Sequence, residues 1–210
     1  MQPHSLTKNT GQILAGSLFV SGWAGYPCLF PDFSKHARFI HPFGREVDQN
    51  LSSILDRTWK TIFAWSLGAH LCLKYLDKLR ADRLVLIAPF LDFCQGTPQK
   101  KIEEMLRGLE KNPQATVRWF WKACAVSQPP KPVISDVNML RKGLEFLIHS
   151  RVDHKSLNTD LSITLIHGLK DRIVPLSHSE HIRDCLPQAC CQYLPHGHYI
   201  PEPEILNAIR

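Results

Sequence analysis

Short apolar runs alternate along the chain with longer segments in which apolar positions recur at helical spacing. The run 84–88 is wholly apolar, which is typical of a strand covered on both faces of a sheet. The segment 67–79 carries apolar residues at positions 67, 71, 73, 75, 76 and 79, which predicts a helix. We predict strands at 12–20, 37–40, 60–65, 83–88, 161–166 and 190–194, and helices at 45–57, 67–79, 179–185 and 203–209.

This alternation predicts an α/β fold with a mostly parallel sheet of about six strands. It is interrupted once, because no strand pattern appears between residues 89 and 160. We predict three helices there instead, at 98–111, 114–126 and 136–150. The insertion is too long for a simple crossover, so we predict a helical cap at 92–153, between strands four and five. The core of the domain would then comprise residues 1–91 and 154–210.

Composition places the chain among ordinary globular proteins of one domain, with 210 residues, 44% hydrophobic and 21% charged. The longest apolar stretches of eight or nine residues are far shorter than a membrane span. The N-terminus lacks the layout of a signal peptide, and the seven cysteines form no CxxC pair. We therefore expect a cytoplasmic protein with free thiols and no structural metal site.

The net charge of +6 favours an acidic partner or an anionic substrate. Nucleic acid is not the expected partner, because the chain has no long basic run and no finger-type spacing of Cys and His.

Ser66 lies where the third predicted strand becomes a helix. A strand–turn–helix of this kind exposes the serine hydroxyl at the carboxyl edge of a sheet. Small residues two positions before and after the serine allow the strand and helix to pack closely, and Ala64 and Gly68 occupy these positions. The sequence thus predicts a nucleophile at Ser66, with an ordinary helix N-cap as the alternative interpretation.

A serine nucleophile needs a base and a carboxylate that orients the base. Asp171 follows the fifth predicted strand, in a loop that can carry a carboxylate towards the serine. His196 and His198 both follow the sixth strand, and we favour His198 because Gly197 precedes it and Pro201 follows it. Oxyanion donors are expected at the amide of Leu67, which opens the helix, and at the amide of Trp23 in the loop after strand one.

Four motifs in this order resemble the α/β-hydrolase superfamily, from about residue 12 to the C-terminus. They are Ser-Gly-Trp-Ala-Gly, Ala-Trp-Ser-Leu-Gly, His-Gly-Leu-Lys-Asp-Arg-Ile-Val-Pro and Gly-His-Tyr-Ile-Pro. The first two resemble the pimeloyl-[acyl-carrier protein] methyl ester esterases of biotin synthesis. That resemblance implies a cytosolic serine carboxylesterase with a helical cap, no cofactor, and a triad of Ser66, Asp171 and His198.

Two departures from the family pattern bear on this assignment. Larger hydrolases place antiparallel strands before the strand that we predict at 12–20, so we expect a trimmed sheet here. Ala24 and Ala64 stand where the family has glycine. Both changes leave the triad intact, but they weaken the assignment of substrate, because compact relatives act on other esters.

The insertion carries much of the positive charge, with nine lysines and arginines against five acidic residues in 100–145. Because acyl carrier protein is acidic, Arg107, Arg118 and Lys122 could bind it beside Trp119, although an ordinary solvated helix face would show the same residues. We predict a carboxylesterase acting on pimeloyl-acyl-carrier-protein methyl ester. The alternatives are a broad-specificity short-chain carboxylesterase or thioesterase and, more remotely, a non-catalytic binding protein of hydrolase fold.

Overall fold

A computed structural model describes residues 10–44, 51–134 and 136–210 of the chain. The six described strands form one sheet in the order β2-β1-β3-β4-β5-β6, and all five neighbouring pairs are parallel. The strands are β1 (Ser17–Val20), β2 (Arg38–Ile40), β3 (Thr58–Trp65), β4 (Arg80–Ile87), β5 (Ser162–Gly168) and β6 (Cys190–Leu194).

Helices flank the sheet and fill the interval between β4 and β5. Residues 10–14 are helical (α1). The other helices are α2 (Pro31–His36), α3 (Leu51–Leu55), α4 (Leu67–Lys74), α5 (Phe93–Gly96), α6 (Gln99–Lys111), α7 (Pro113–Ala123), α8 (Val137–His149), α9 (Ser177–Cys185) and α10 (Glu202–Ala208). Short 3₁₀ turns lie at Pro27–Leu29, Leu76–Lys78 and His154–Ser156.

The alternation of side chains along the central strands explains why they are apolar throughout. In β4, Leu84 and Leu86 join one buried cluster while Val85 and Ile87 join the other, on opposite faces of the sheet. Both faces are therefore covered, as the continuous apolar run predicts.

The strand predicted at 12–20 is wrong over its first part. The apolar run 12–20 is a strand only over Ser17–Val20, whereas residues 10–14 are helical. Gly16 adopts φ +72 between the two, a left-handed conformation that ends the helix and turns the chain into β1. Apolar character alone does not distinguish a short buried helix from a strand, because both bury their side chains.

Two helix predictions differ from the structure in other ways. The predicted helix 67–79 ends at Lys74 and continues as the 3₁₀ turn Leu76–Lys78. Of the predicted helix 45–57, residues 51–55 are helical, and residues 45–50 lie outside the described residues.

Helices α6, α7 and α8 form the predicted insertion, and its two ends are tied together beside α4. The N–H of Val152 donates to the carbonyl of Leu91 at 3.0 Å. His70, buried in α4, donates from Nδ1 to the Phe90 carbonyl (3.1 Å) and accepts at Nε2 from Ser150 Oγ (2.8 Å). Burial lowers the pKa of His70 to about 4, which keeps the ring neutral near pH 7. The boundaries of 92 and 153 for the cap stay a prediction.

Candidate active site

Ser66 lies at the turn between β3 and α4, in a conformation that few residues other than glycine adopt (φ 55, ψ −115). Its N–H donates to the Ile87 carbonyl of β4 at 2.8 Å, which holds the turn against the sheet. A side chain at position 68 would collide with the Val20 carbonyl, so the helix can approach β1 only because this residue is glycine. The turn therefore projects the Ser66 hydroxyl beyond the carboxyl edge of the sheet.

The structure brings together the three residues that the sequence predicts as a triad. His198 Nε2 lies 2.8 Å from Ser66 Oγ, and His198 Nδ1 lies 2.7 Å from Asp171 Oδ2. The side chains of Asp171 and His198 have no solvent exposure, and Ser66 is 6% exposed. Because a carboxylate can only accept, Nδ1 carries the hydrogen and Nε2 is free to accept the proton of the serine hydroxyl.

Asp171 is held in place by contacts on both of its carboxylate oxygens. Oδ1 accepts hydrogen bonds from the N–H groups of Ile173 (2.8 Å) and Val174 (2.9 Å). Burial by itself would raise the pKa of this carboxyl, but the electrostatic interaction and hydrogen bond with His198 and the N–H of Val174 outweigh it and keep the pKa below its ordinary value. His167 contributes further from 3.5 Å. The carboxylate is consequently ionised at neutral pH.

The loop that carries His198 is fixed from two sides. The indole N–H of Trp65, the neighbour of Ser66, donates to the His198 carbonyl at 2.9 Å. The N–H of Tyr199 donates to the Cys124 carbonyl, just beyond α7, at 2.9 Å. The competing His196 is instead half-buried, and its carbonyl accepts the N–H of Lys170 at 2.8 Å. The described contacts place His198, and not His196, between Ser66 and Asp171.

The two predicted oxyanion donors both lie beside Ser66. Leu67 is the first residue of α4, where backbone N–H groups have no partner within the helix. The loop 22–25 passes so close that a Cβ on Gly22 would lie 3.0 Å from Ser66 Cβ. The amides of Leu67 and Trp23 are thus contributed by two segments that meet at the serine, and their role as oxyanion donors stays a prediction.

Comparisons with known proteins identify the architecture. No family model matches the chain, and no curated protein matches it in sequence. Similar solved structures include an esterase from Exiguobacterium antarcticum, with a TM-score of 0.68, 16% identity, and 88% of this chain and 85% of that chain covered. A hydrolase from Oleispira antarctica has a TM-score of 0.66 and 11% identity, with 88% of this chain and 84% of that chain covered. A hydrolase from Pseudomonas aeruginosa has a TM-score of 0.66 and 16% identity, with 93% of this chain and 88% of that chain covered. The chain has the α/β-hydrolase fold.

Within this fold, a cavity of about 900 Å³ lies between Ser66 and the helices inserted after β4. Trp23 and Leu67 border it at the carboxyl edge of the sheet, and apolar side chains dominate the opposite wall. Those contributed by the inserted helices include Ile102, Met105, Phe120, Leu144 and Leu147. The hydroxyl of Ser66 therefore opens onto a cavity that suits an apolar chain.

Of the four residues predicted to bind substrate or partner in the cap, two line the cavity. Trp119, which is 57% exposed, and Lys122 do so. Arg107 and Arg118 are exposed and are not among the lining residues.

Three cations that the sequence pattern does not single out also line the cavity: Lys101, Lys170 and Arg172. Lys170 and Arg172 flank Asp171, so their nearness to the site follows from the prediction of the acid itself. Together with Lys122 these side chains form no ion pair among the described residues, and the one acidic lining residue is Glu104. We call Lys101, Lys122, Lys170 and Arg172 the basic rim.

We also expect the described residues to lack a metal site, disulfides and a membrane-spanning helix. Among the described residues, no three His, Cys, Asp or Glu side chains are grouped as a metal site requires. All seven cysteines are free thiols. Within the same residues, every helix is too short or too polar to cross a bilayer.

Proposed function

We propose that this protein is a serine hydrolase that cleaves carboxylic esters. The observation that carries the proposal is the continuous chain of hydrogen bonds from Ser66 through His198 to Asp171, at 2.8 and 2.7 Å, beneath a cavity lined by apolar side chains. Because the three residues come from distant parts of the sequence, a purely structural role explains their convergence poorly.

The geometry supports the following role for each group in the reaction. Ser66 Oγ attacks the ester carbonyl carbon while His198 Nε2 accepts its proton, and Asp171 stabilises the resulting imidazolium. His198 then protonates the alcohol as it leaves, giving an acyl-enzyme. Water attacks this intermediate with His198 again as base, which releases the carboxylic acid and restores Ser66. The amides of Trp23 and Leu67 would donate to the oxyanion in both steps.

A fluorophosphonate probe tests the nucleophile and separates this proposal from the non-catalytic alternative. Such a probe phosphonylates an activated serine, so wild-type protein should be labelled stoichiometrically and Ser66→Ala should not. Ser177→Ala, which removes an exposed hydroxyl at the start of α9, is the matched control and should label like wild type. Absence of labelling in soluble wild-type protein would indicate a binding protein.

For the substrate, we propose the methyl ester of a pimeloyl chain carried by acyl carrier protein. The apolar cavity can accommodate an acyl chain, and the basic rim together with Arg107, Arg118 and Trp119 would face an acidic carrier. A broad-specificity short-chain esterase or thioesterase is the second candidate. It is favoured by the volume of about 900 Å³, which exceeds what a single short acyl chain fills and would admit varied substrates.

Complementation and charge reversal test this substrate. The gene should restore growth to a biotin auxotroph that lacks its own methyl esterase, whereas Ser66→Ala should not. Lys122→Glu should raise KM for a carrier-bound ester but not for a small neutral ester. Lys60→Glu makes the same charge change near the start of β3, at the other end of the strand from Ser66, and should leave KM for both esters unchanged. Failure of soluble, active protein to complement would favour the broad-specificity enzyme.

A further inference from the structure

The loop 22–25, which carries the proposed oxyanion donor, packs against Trp65 at the end of β3 and is hydrogen-bonded to the inserted helices. The indole N–H of Trp121 in α7 donates to the carbonyl of Ala24 at 2.8 Å. Trp121 has no solvent exposure, so this bond is made away from competing water. Tyr26 packs edge-on against the Trp121 ring, with ring centroids 6.1 Å apart.

A second bond runs in the opposite direction, from the loop to the inserted helices. The indole N–H of Trp23 donates to the Leu140 carbonyl in α8 at 2.8 Å. The Trp23 ring also meets Phe120 edge-to-face, with centroids 4.7 Å apart. Helix α8 comes so near that a Cβ on Gly143 would lie 2.9 Å from Trp23 Cδ1. Helices α7 and α8 are therefore hydrogen-bonded to the consecutive loop residues Ala24 and Trp23.

The conformation of the loop shows why such support matters. Ala24 has φ 52, in the left-handed region that alanine avoids because of its Cβ. Within the loop itself, the N–H of Gly25 donates to the Gly22 carbonyl at 3.1 Å, and Ser21 Oγ donates to the Gly25 carbonyl. The bond from Trp121 fixes the carbonyl of Ala24, the residue whose conformation is strained.

We propose that Trp121 is a positioning residue for the oxyanion site: it holds the loop 22–25 so that the amide of Trp23 faces the developing oxyanion. The inference rests on the proposed serine hydrolase activity. Stabilisation of the oxyanion then depends on the inserted helices as well as on the sheet. Those helices would contribute to the chemical step as well as covering the cavity.

Trp121→Phe tests this, because it removes the indole N–H and keeps an aromatic ring. Trp59→Phe is the matched control: Trp59 makes the same kind of bond, to the Ile54 carbonyl at 3.0 Å, near the opposite end of β3. For each variant, kcat and KM are measured on a small ester, with active sites titrated by the fluorophosphonate so that any unfolded fraction is discounted.

The affinity for a trifluoromethyl ketone inhibitor distinguishes a role in oxyanion stabilisation from a role in protein stability alone. Ser66 Oγ adds to its carbonyl carbon and the hydroxyl proton passes to His198, which leaves an oxyanion at the site of the proposed donors. Removing an oxyanion donor outright costs about 10²–10³ in kcat, so loosening its loop should cost about tenfold. We expect Trp121→Phe to lower both kcat and inhibitor affinity about tenfold, with KM within twofold of wild type.

Trp23→Phe provides a second variant, because it removes the reciprocal bond to Leu140 and keeps the backbone amide of the loop. It should show the same joint loss of kcat and inhibitor affinity, while Trp59→Phe should show neither. Inhibitor affinity within twofold of wild type in either soluble, titrated variant would overturn the inference. Labelling that persists in Ser66→Ala would instead overturn the proposed function.

Discussion

Both carboxylate oxygens of Asp171 are bonded, and this determines what an amide in the same place would do. Oδ1 accepts from the N–H groups of Ile173 (2.8 Å) and Val174 (2.9 Å), and Oδ2 faces His198 Nδ1 at 2.7 Å. In Asp171→Asn, the amide oxygen should occupy the Oδ1 position, because an NH₂ group there would face two donors. The NH₂ group must then face His198 Nδ1.

That orientation would force the wrong tautomer on His198. Nδ1 would have to accept from the asparagine, so Nε2 would carry the hydrogen and donate to Ser66 Oγ. It could then no longer act as the base. We expect kcat to fall by about 10³–10⁴, as when the base loses its orienting carboxylate in other triads. KM should change less than threefold, because Asp171 does not line the cavity.

Initial rates on a p-nitrophenyl ester, together with the melting temperature, would measure this effect. Asp160→Asn is the matched control, because Asp160 is exposed and stands before β5, at the other end of the strand from Asp171. It should retain full activity. A folded Asp171→Asn variant with kcat within tenfold of wild type would refute the assignment of the acid.

Three further predictions concern stability. Ala24→Gly should raise the free energy of unfolding by about 1 kcal/mol in urea titrations, because glycine adopts a φ of 52 without the steric strain of a Cβ. A lower free energy of unfolding would show that Ala24 is not strained. Ser150→Ala leaves the buried His70 Nε2 without its partner and should cost about 1–3 kcal/mol, while exposed Ser156→Ala should cost less than half of that. Burial raises the pKa of Glu202 from 4.5 to about 7 against the opposing N–H of Phe33, so the contribution of Glu202 to stability should fall by at most about 3 kcal/mol between pH 4.5 and 8. The free energy of unfolding of wild type relative to Glu202→Gln should fall by that amount over this range, and a difference that does not change with pH would exclude it.

The elements that sequence predicts best are those in which a local pattern matches the tertiary environment. The run 84–88 lies in a strand covered on both faces, so its apolar character and its burial agree. The run 12–20 contains two different elements, because its first part is a short helix in which Leu14 is buried and its last part is β1. Only the backbone conformation of Gly16 marks the change, and composition does not reveal it.

The site shows the same division between local and tertiary information. Ser66, Asp171 and His198 each follow a strand, so the topology of a parallel sheet suffices to bring them to one edge. The cavity wall depends instead on how helices α6 and α7 pack over that edge. Which of the many lysines and arginines face the cavity is decided by that packing, and Arg118 and Lys122 in the same helix differ in this respect.

Gly197 shows how the reason given for a prediction can be incomplete. The sequence favours His198 partly because a flexible glycine precedes it, yet the structure places no left-handed φ at this residue. The glycine is needed for space: a Cβ there would lie 2.7 Å from Ala125 Cβ and 3.0 Å from the Cys124 carbonyl. The loop of His198 thus packs directly on the chain leaving α7, the helix that also carries Trp121. Because α7 contacts the proposed oxyanion loop and the chain leaving α7 contacts the loop of His198, movement of α7 would perturb both loops at once.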